Sequence, residues 1–147
     1  MFTMSVLLSP ARLSNAAGRD RQETAMRYLC LVYADEARLA ELSQGELDTL
    51  IDETLAANEE LAASGHLVLA QALEQVDAAA TVRVRDGRLS ATDGPFAETR
   101  EQLGGFVLIE ARDLNEAIRI AGRLPSARLG SIEVRPVIDL LRERSPR

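Results

Sequence analysis

The chain has no lysine, a single cysteine and a single histidine. It also has no apolar run near the ~20 residues that a membrane helix needs. Each absence removes a class of protein. Cys30 alone cannot close an intrachain disulfide, and no CxxC spacing occurs. His66 alone cannot build a multi-histidine metal site, and HExxH is absent, so no metal is expected. All 17 basic residues are arginine, against 23 acidic ones, which leaves a net charge of −6. Nucleic acid is recognised by clustered cations that displace counterions, and this chain carries no such footprint. An anionic membrane surface is disfavoured for the same reason. No dinucleotide-binding fingerprint, P-loop or G-x-S-x-G appears, so no cofactor and no α/β-hydrolase chemistry is expected. A reduced, cytoplasmic setting fits this inventory.

What is present is the material of one globular domain: 147 residues, 46% of them hydrophobic. Residues 1–25 read differently, being rich in Ser, Asn, Gly and Arg after a short "SVLLS". No positive side chain precedes that short run, so it does not read as a secretory signal. We expect either a start at Met26, with an upstream segment assigned in error, or a disordered leader. The domain proper is expected over 26–140, with 141–147 as a flexible tail.

The domain parses in order. "RYLCLVYA" (27–34) is a continuous apolar run, expected as a buried central strand with Cys30 as a small core hydrophobe. Tyr28 and Tyr33 are five residues apart, so alternation sends them to opposite faces. A short helical turn is expected in "DEARLAEL" (35–42). The first main helix is "SQGELDTLIDETLAANEELAASG" (43–65). Ser43 and Glu46 fit a capping box, and Gly65 fits a left-handed stop. Leu47, Leu50, Ile51, Leu55, Leu61 and Ala62 mark its apolar face. "HLVLAQAL" (66–73) is the second strand. In "ATVRVRDGRLSAT" (80–92), alternation on both sides of Asp86-Gly87 predicts a hairpin with a two-residue turn, Arg83 and Arg85 on its wet face. "GGFVLIEA" (104–111) is another buried strand, with Gly104-Gly105 allowing a bulge or a close backbone approach. "DLNEAIRIAGRLP" (113–125) is the second helix, capped by Asp113, with Ile118 and Ala121 facing inward. "GSIEVRPVIDL" (130–140) is the last strand; Pro136 assigns it to an edge or a bulge.

With the hairpin set aside, the order is β-α-β-β-α-β. That predicts an α+β, ferredoxin-like fold with both helices on one face of an antiparallel sheet. The strands hold too much Leu, Ile, Val and Phe for the other face to stay wet, so a homodimer packed face to face is expected.

The stretch from "TVRVRDGRLSATDGPFAETREQLGGF" through "GSIEVRPV" closely resembles the DGPF subgroup of the YCII-related (YciI-like) domain family. The likeness covers roughly 26–140. It implies a dimeric α+β-barrel, which agrees with the topology read from the residues. Founding members carry a His in the first helix and an Asp at its end, proposed as a catalytic pair. Those positions fall here near Thr54 and Ala63, so that chemistry does not transfer. The resemblance also implies a possible partner, an extracytoplasmic-function sigma factor.

Two readings of "ATDGPFAETREQLGGF" (91–106) stand side by side. In one, Asp93-Gly94-Pro95 is a turn, Phe96 plugs the core, and the charged run 98–101 is solvated. In the other, the loop covers the mouth of a pocket. Asp93, Gly94, Pro95, Phe96, Glu98 and Thr99 would then meet a ligand, with Asp93, Glu98 and Glu101 supplying acceptors or one carboxylate for proton transfer. A hard divalent cation among these carboxylates is a weaker alternative. His66 is read as a structural residue unless it faces a carboxylate; then it is the best acid/base candidate. Arg135 either pairs with Glu133 or meets an anionic ligand. Three functions follow from these residues and the resemblance. One is a module binding a small molecule in the barrel pocket. The second is a small-molecule enzyme of isomerase or oxygenase type, with His66 or Glu101 as its acid/base group. The third is a partner of a sigma factor.

Overall fold

The computed structural model describes residues 25–144, so the expected leader lies almost wholly outside the described residues, as do the last three positions of the expected tail. Six strands and five helices follow in order. They are β1 (Met26–Ala34), α1 (Glu36–Ala40), α2 (Gln44–Ala63), β2 (Leu67–Ala72), β3 (Ala80–Arg85), β4 (Arg88–Asp93), β5 (Gln102–Ala111), α3 (Leu114–Arg123), α4 (Ser126–Leu129), β6 (Ser131–Pro136) and α5 (Leu140–Glu143). A 3₁₀ turn, Val76–Ala78, lies between β2 and β3.

Strands β2, β5, β1 and β6 form one antiparallel sheet in that order. This is the split β-α-β arrangement expected from the sequence, an α+β ferredoxin-like sheet. The hairpin β3–β4 forms a separate two-stranded sheet within the β2–β5 connection. Its turn residues Asp86 and Gly87 both have positive φ, as a tight two-residue hairpin turn demands. β6, which ends in Pro136, is an edge strand.

Local chemistry sets the ends of the helices. The Ser43 hydroxyl accepts from the Glu46 N–H, and the Glu46 carboxylate accepts from the Ser43 N–H at 2.8 Å. At the far end, Gly65 adopts φ +79. The Gly65 N–H then reaches the Ala62 carbonyl, and the His66 N–H reaches that of Leu61. This is the Schellman pattern, and it fixes where His66 leaves the helix. Asp113 caps α3 by accepting from the Glu116 N–H.

The core lies on one side of the sheet. Tyr28 and Cys30 of β1 and Val107, Ile109 and Ala111 of β5 meet Leu61 of α2, Ala117, Ile120 and Ala121 of α3, and Leu124. The two buried alanines of α3 let its axis come close to the strands. Ile118, expected to face inward, is exposed, and so is Ala62. The buried set 117, 120, 121 follows i, i+3, i+4, which leaves Ile118 off that stripe. Burial raises the Cys30 thiol to about 11, so it stays protonated and inert at neutral pH.

On β5, Gly104 is an extra residue: β1 pairs Val32 with Gly105 but Tyr33 with Leu103. A Cβ built on Gly105 would lie 2.8 Å from the Gln71 carbonyl oxygen. Both roles proposed for the glycine pair, bulge and close approach, are therefore realised. By alternation, Leu29, Leu31, Leu69, Phe106 and Leu108 occupy the face turned away from the helices.

Candidate functional site

The motif stretch divides into two parts with different surroundings. Its first half is a structural closure of the hairpin. The Gly94 N–H donates to the Ala79 carbonyl at 2.7 Å, and the Thr81 hydroxyl donates to the Gly94 carbonyl. Gly94 does this at φ +106, a region that side-chain-bearing residues avoid. Phe96 does not plug the core; it is 81% exposed, and the Arg83 guanidinium lies 5.8 Å from its ring centroid. The hairpin stands off the sheet, so the residue at its base has no core to enter. Asp93 and Glu98 are exposed as well.

The second half borders a cleft. Thr99, Arg100 and Glu101 line a cleft of about 790 Å³ with Tyr33, Asp35 and Arg38 from the end of β1 and α1, and Ser131, Ile132 and Glu133 from β6. Three chain segments far apart in sequence thus meet at one end of the sheet. Ser131 donates to the Glu101 carboxylate at 2.9 Å, and Thr99 donates to the Glu101 carbonyl. Arg100 Nε lies 3.3 Å from Asp35 Oδ2. Partial burial pushes the Asp35 carboxyl up, but hydrogen bonds from Arg100 and from the Ala37 and Arg38 N–H groups, with the Arg100 charge, hold it below the ordinary range. Arg38 has no salt-bridge partner among the described residues. Arg135 pairs with Glu133 at 2.6 Å and does not line the cleft.

His66 lies elsewhere. The Glu110 N–H donates to its carbonyl, so it sits beside the far end of β5 from Glu101. Nine residue steps along the chain separate Glu101 from Glu110, about 30 Å in an extended strand. His66 and Glu101 therefore cannot belong to one acid/base pair. Instead, His66 Nε2 lies 3.1 Å from Glu116 Oε1, and His66 Nδ1 lies 2.7 Å from the Ser64 hydroxyl. The carboxylate that sequence reasoning asked of His66 is present, fifty residues away on α3. Thr54, at the position of the founding histidine, spends its hydroxyl on the Leu50 carbonyl, and Ala63 is exposed.

Burial raises the Glu116 carboxyl, but hydrogen bonds from the Arg112 N–H and the His66 ring, with the charges of both, outweigh it and leave it below the ordinary glutamate range. A depressed native pKa contributes stability that is present above the unfolded-state value and lost as pH falls through the native one. Urea unfolding of wild type and Glu116→Gln should therefore differ at pH 7. The wild-type advantage should shrink as the pH drops below about 4.3, the ordinary glutamate value.

A sequence model of the YCII-related domain matches residues 26–141. The chain belongs to the YCII-related family. It is also similar to the uncharacterized protein R00369 of Rhizobium meliloti (strain 1021), 39% identical over 114 residues that cover 76% of this chain and 92% of that relative. Among the described residues, no helix is long and apolar enough to cross a membrane. They also contain no group of three or more His, Cys, Asp and Glu arranged to hold a metal ion.

Of the residues singled out from sequence, Thr99 and Glu101 thus meet in the cleft. The motif turn 93–96, Glu98, Arg135 and His66 do not join them. Asp35, Arg38, Arg100 and Ser131 were missed. Their sequence signal was charge beside the motif or past the end of a strand or, for Ser131, no more than a place at the start of a strand, where binding residues tend to lie on a rigid scaffold.

Proposed function

We propose that this YCII-related protein binds a small polar molecule in the cleft between the end of β1, the segment 99–101 and β6. The observation that supports it is the convergence on one concave surface of Arg38, a cation with no salt-bridge partner among the described residues, with the oriented carboxylate of Glu101. Arg38 would take an acidic group of the ligand and Glu101 a hydrogen-bond donor, with Tyr33 packing against the ligand body. The reading includes a homodimer, in which a second copy covers the apolar face formed by Leu29, Leu31, Phe106 and Leu108.

The test is thermal shift of the full chain against a metabolite library, in parallel with Glu101→Ala and Arg38→Ala. A ligand at a hundred times its Kd adds about 2.7 kcal/mol, a shift of several degrees for a domain of this size. A compound that stabilises the native chain but neither variant supports the cleft. A library in which nothing shifts the native chain, or in which both variants respond like wild type, sinks it.

A further inference from the structure

The groove between the C-terminal end of α2 and helix α3 carries a second constellation, independent of the cleft. Both nitrogens of His66 are engaged, Nδ1 by the Ser64 hydroxyl at 2.7 Å and Nε2 by the Glu116 carboxylate at 3.1 Å. The chain does not stop there. Glu116 Oε2 is held by Arg112 Nη2 at 2.9 Å, which fixes the carboxylate that orients the ring. The Schellman turn at Gly65 is what brings Ser64 and His66, two residues apart, onto one side. Ser64, His66 and Arg123 line a pocket of about 260 Å³ floored by Leu61, Ile120 and Leu124. His66, Glu116, Arg119 and Arg123 line its continuation of about 590 Å³. Arg119 and Arg123 stand one turn apart on α3, and neither has a salt-bridge partner among the described residues.

We propose that Ser64 is an activated nucleophile, with His66 as its general base and Glu116 positioning the imidazole, in a site that accepts esters of small anionic acids. A base, a hydroxyl on one side of it and a carboxylate on the other are the parts of a nucleophilic triad, defined by geometry and not by sequence order. The Ser64 oxygen attacks the ester carbonyl carbon and its proton passes to His66 Nδ1. Glu116 balances the positive charge the ring takes on. The carbon–oxygen bond to the alcohol breaks as Nδ1 returns the proton to the leaving oxygen, which leaves an acyl-serine. Water repeats the sequence, releasing the acid and restoring Ser64. Arg123, which lines the pocket with Ser64, is the donor available to the tetrahedral oxyanion. Arg119, one turn away, is available to the anionic tail.

One effect opposes this. Ser64 caps the carbonyl end of α2, where negative charge on its oxygen is disfavoured. That penalty is about two- to fivefold in rate at an exposed helix end. A positioned general base is worth about 10²–10⁴-fold. The base wins, provided the proton leaves as the oxygen attacks. The Ser64 hydroxyl must also give up its 3.1 Å bond to the Leu61 carbonyl, which the turn of one torsion accomplishes.

The experiment is labelling of the full chain with a fluorophosphonate probe, read by intact mass and peptide mapping. The expected result is one adduct per chain on Ser64, absent in Ser64→Ala and absent when wild type is labelled in denaturing urea. His66→Ala should label about a hundredfold more slowly, and added imidazole should restore part of the rate, which a merely structural role would not allow. Glu116→Gln should slow labelling at pH 7 in urea-free buffer, where the variant, although less stable, is still folded. An unlabelled Ser64 in the folded wild-type chain overturns the proposal without recourse to any variant. So does labelling that His66→Ala leaves unchanged. Neither result bears on ligand binding at the cleft.

Discussion

Ile109→Ala is expected to be among the most damaging single substitutions in this chain, costing about 2–5 kcal/mol, the range for large-to-small changes at buried sites. Ile109 is 0% exposed, near the C-terminal end of β5, and shares its core cluster with Tyr28 of β1 and Ala117, Ile120 and Ala121 of α3. The core is only one layer deep, because the helices cover one face of the sheet. Each large side chain therefore holds a sizeable share of it. The neighbours cannot move in to fill the space. Ala117 and Ala121 have no further atoms to extend, and β5 is pinned on both edges by β1 and β2. A domain of this kind is stable by about 5–15 kcal/mol in all, so the substitution consumes a large fraction. At about 3–5 °C per kcal/mol for this chain length, the thermal midpoint should fall by roughly 10–20 °C. Ile118→Ala is the control. Ile118 is an isoleucine of helix α3 that is 51% exposed, and its replacement should change stability by less than about 0.5 kcal/mol. A urea titration decides. Equal midpoint losses for the two variants would mean that the α3 stripe is not 117, 120, 121.

The pair Ile109 and Ile118 also marks the limit of reading from sequence. Strand β5 was legible because a continuous apolar run preceded by a glycine pair and followed by a helix cap has few alternatives. Helix α3 was legible as a helix, with Asp113 as its cap, but its rotation was not. Ile118 is the more hydrophobic candidate, yet the strands take the alanines, because only small residues let the axis approach. Ser43 with Glu46, Gly65 and Asp86-Gly87 were legible because each acts through its own backbone or through residues within a few positions; Gly104-Gly105 was legible as a bulge or close approach, but not the β2 backbone that Gly105 approaches. The candidate sites depend on meetings across the fold. Ser131 reaches Glu101 over thirty residues and Glu116 reaches His66 over fifty, and no local pattern encodes either pairing. Phe96 failed for a related reason. An aromatic beside a tight turn reads as a plug, but the hairpin it closes projects away from the sheet, and its partner is Arg83.

Gly105→Ala is expected to be costly while Gly104→Ala, one position earlier, is nearly silent. The two glycines share a bulge but not an environment. A Cβ on Gly104 would meet nothing within 4 Å, whereas one on Gly105 would lie 2.8 Å from the Gln71 oxygen and 3.4 Å from the Ala72 Cα. Both obstacles are backbone of β2, so no side chain can swing aside. Relief requires β2 to move away from β5 at the edge of the sheet, which breaks the Gly105–Ala72 and Phe106–Gln71 register. Overpacking of this kind costs about 1–3 kcal/mol, with the upper end expected where backbone meets backbone. Neither glycine has positive φ, so the contrast isolates the steric term from conformational preference. For Gly104→Ala the removal of glycine's freedom in the unfolded chain offsets small losses, and stability should stay within about 0.5 kcal/mol of wild type. Hydrogen exchange gives the sharper readout. In Gly105→Ala the Leu73 N–H, which donates to the Gly104 carbonyl, should exchange faster together with its β2 neighbours. Protection in β1 and β6, on the other side of the sheet, should follow only the global loss. A uniform loss of protection across all four strands would show instead that the sheet opens as one unit. The β2 edge would then not be a separable element hinged at the glycine pair.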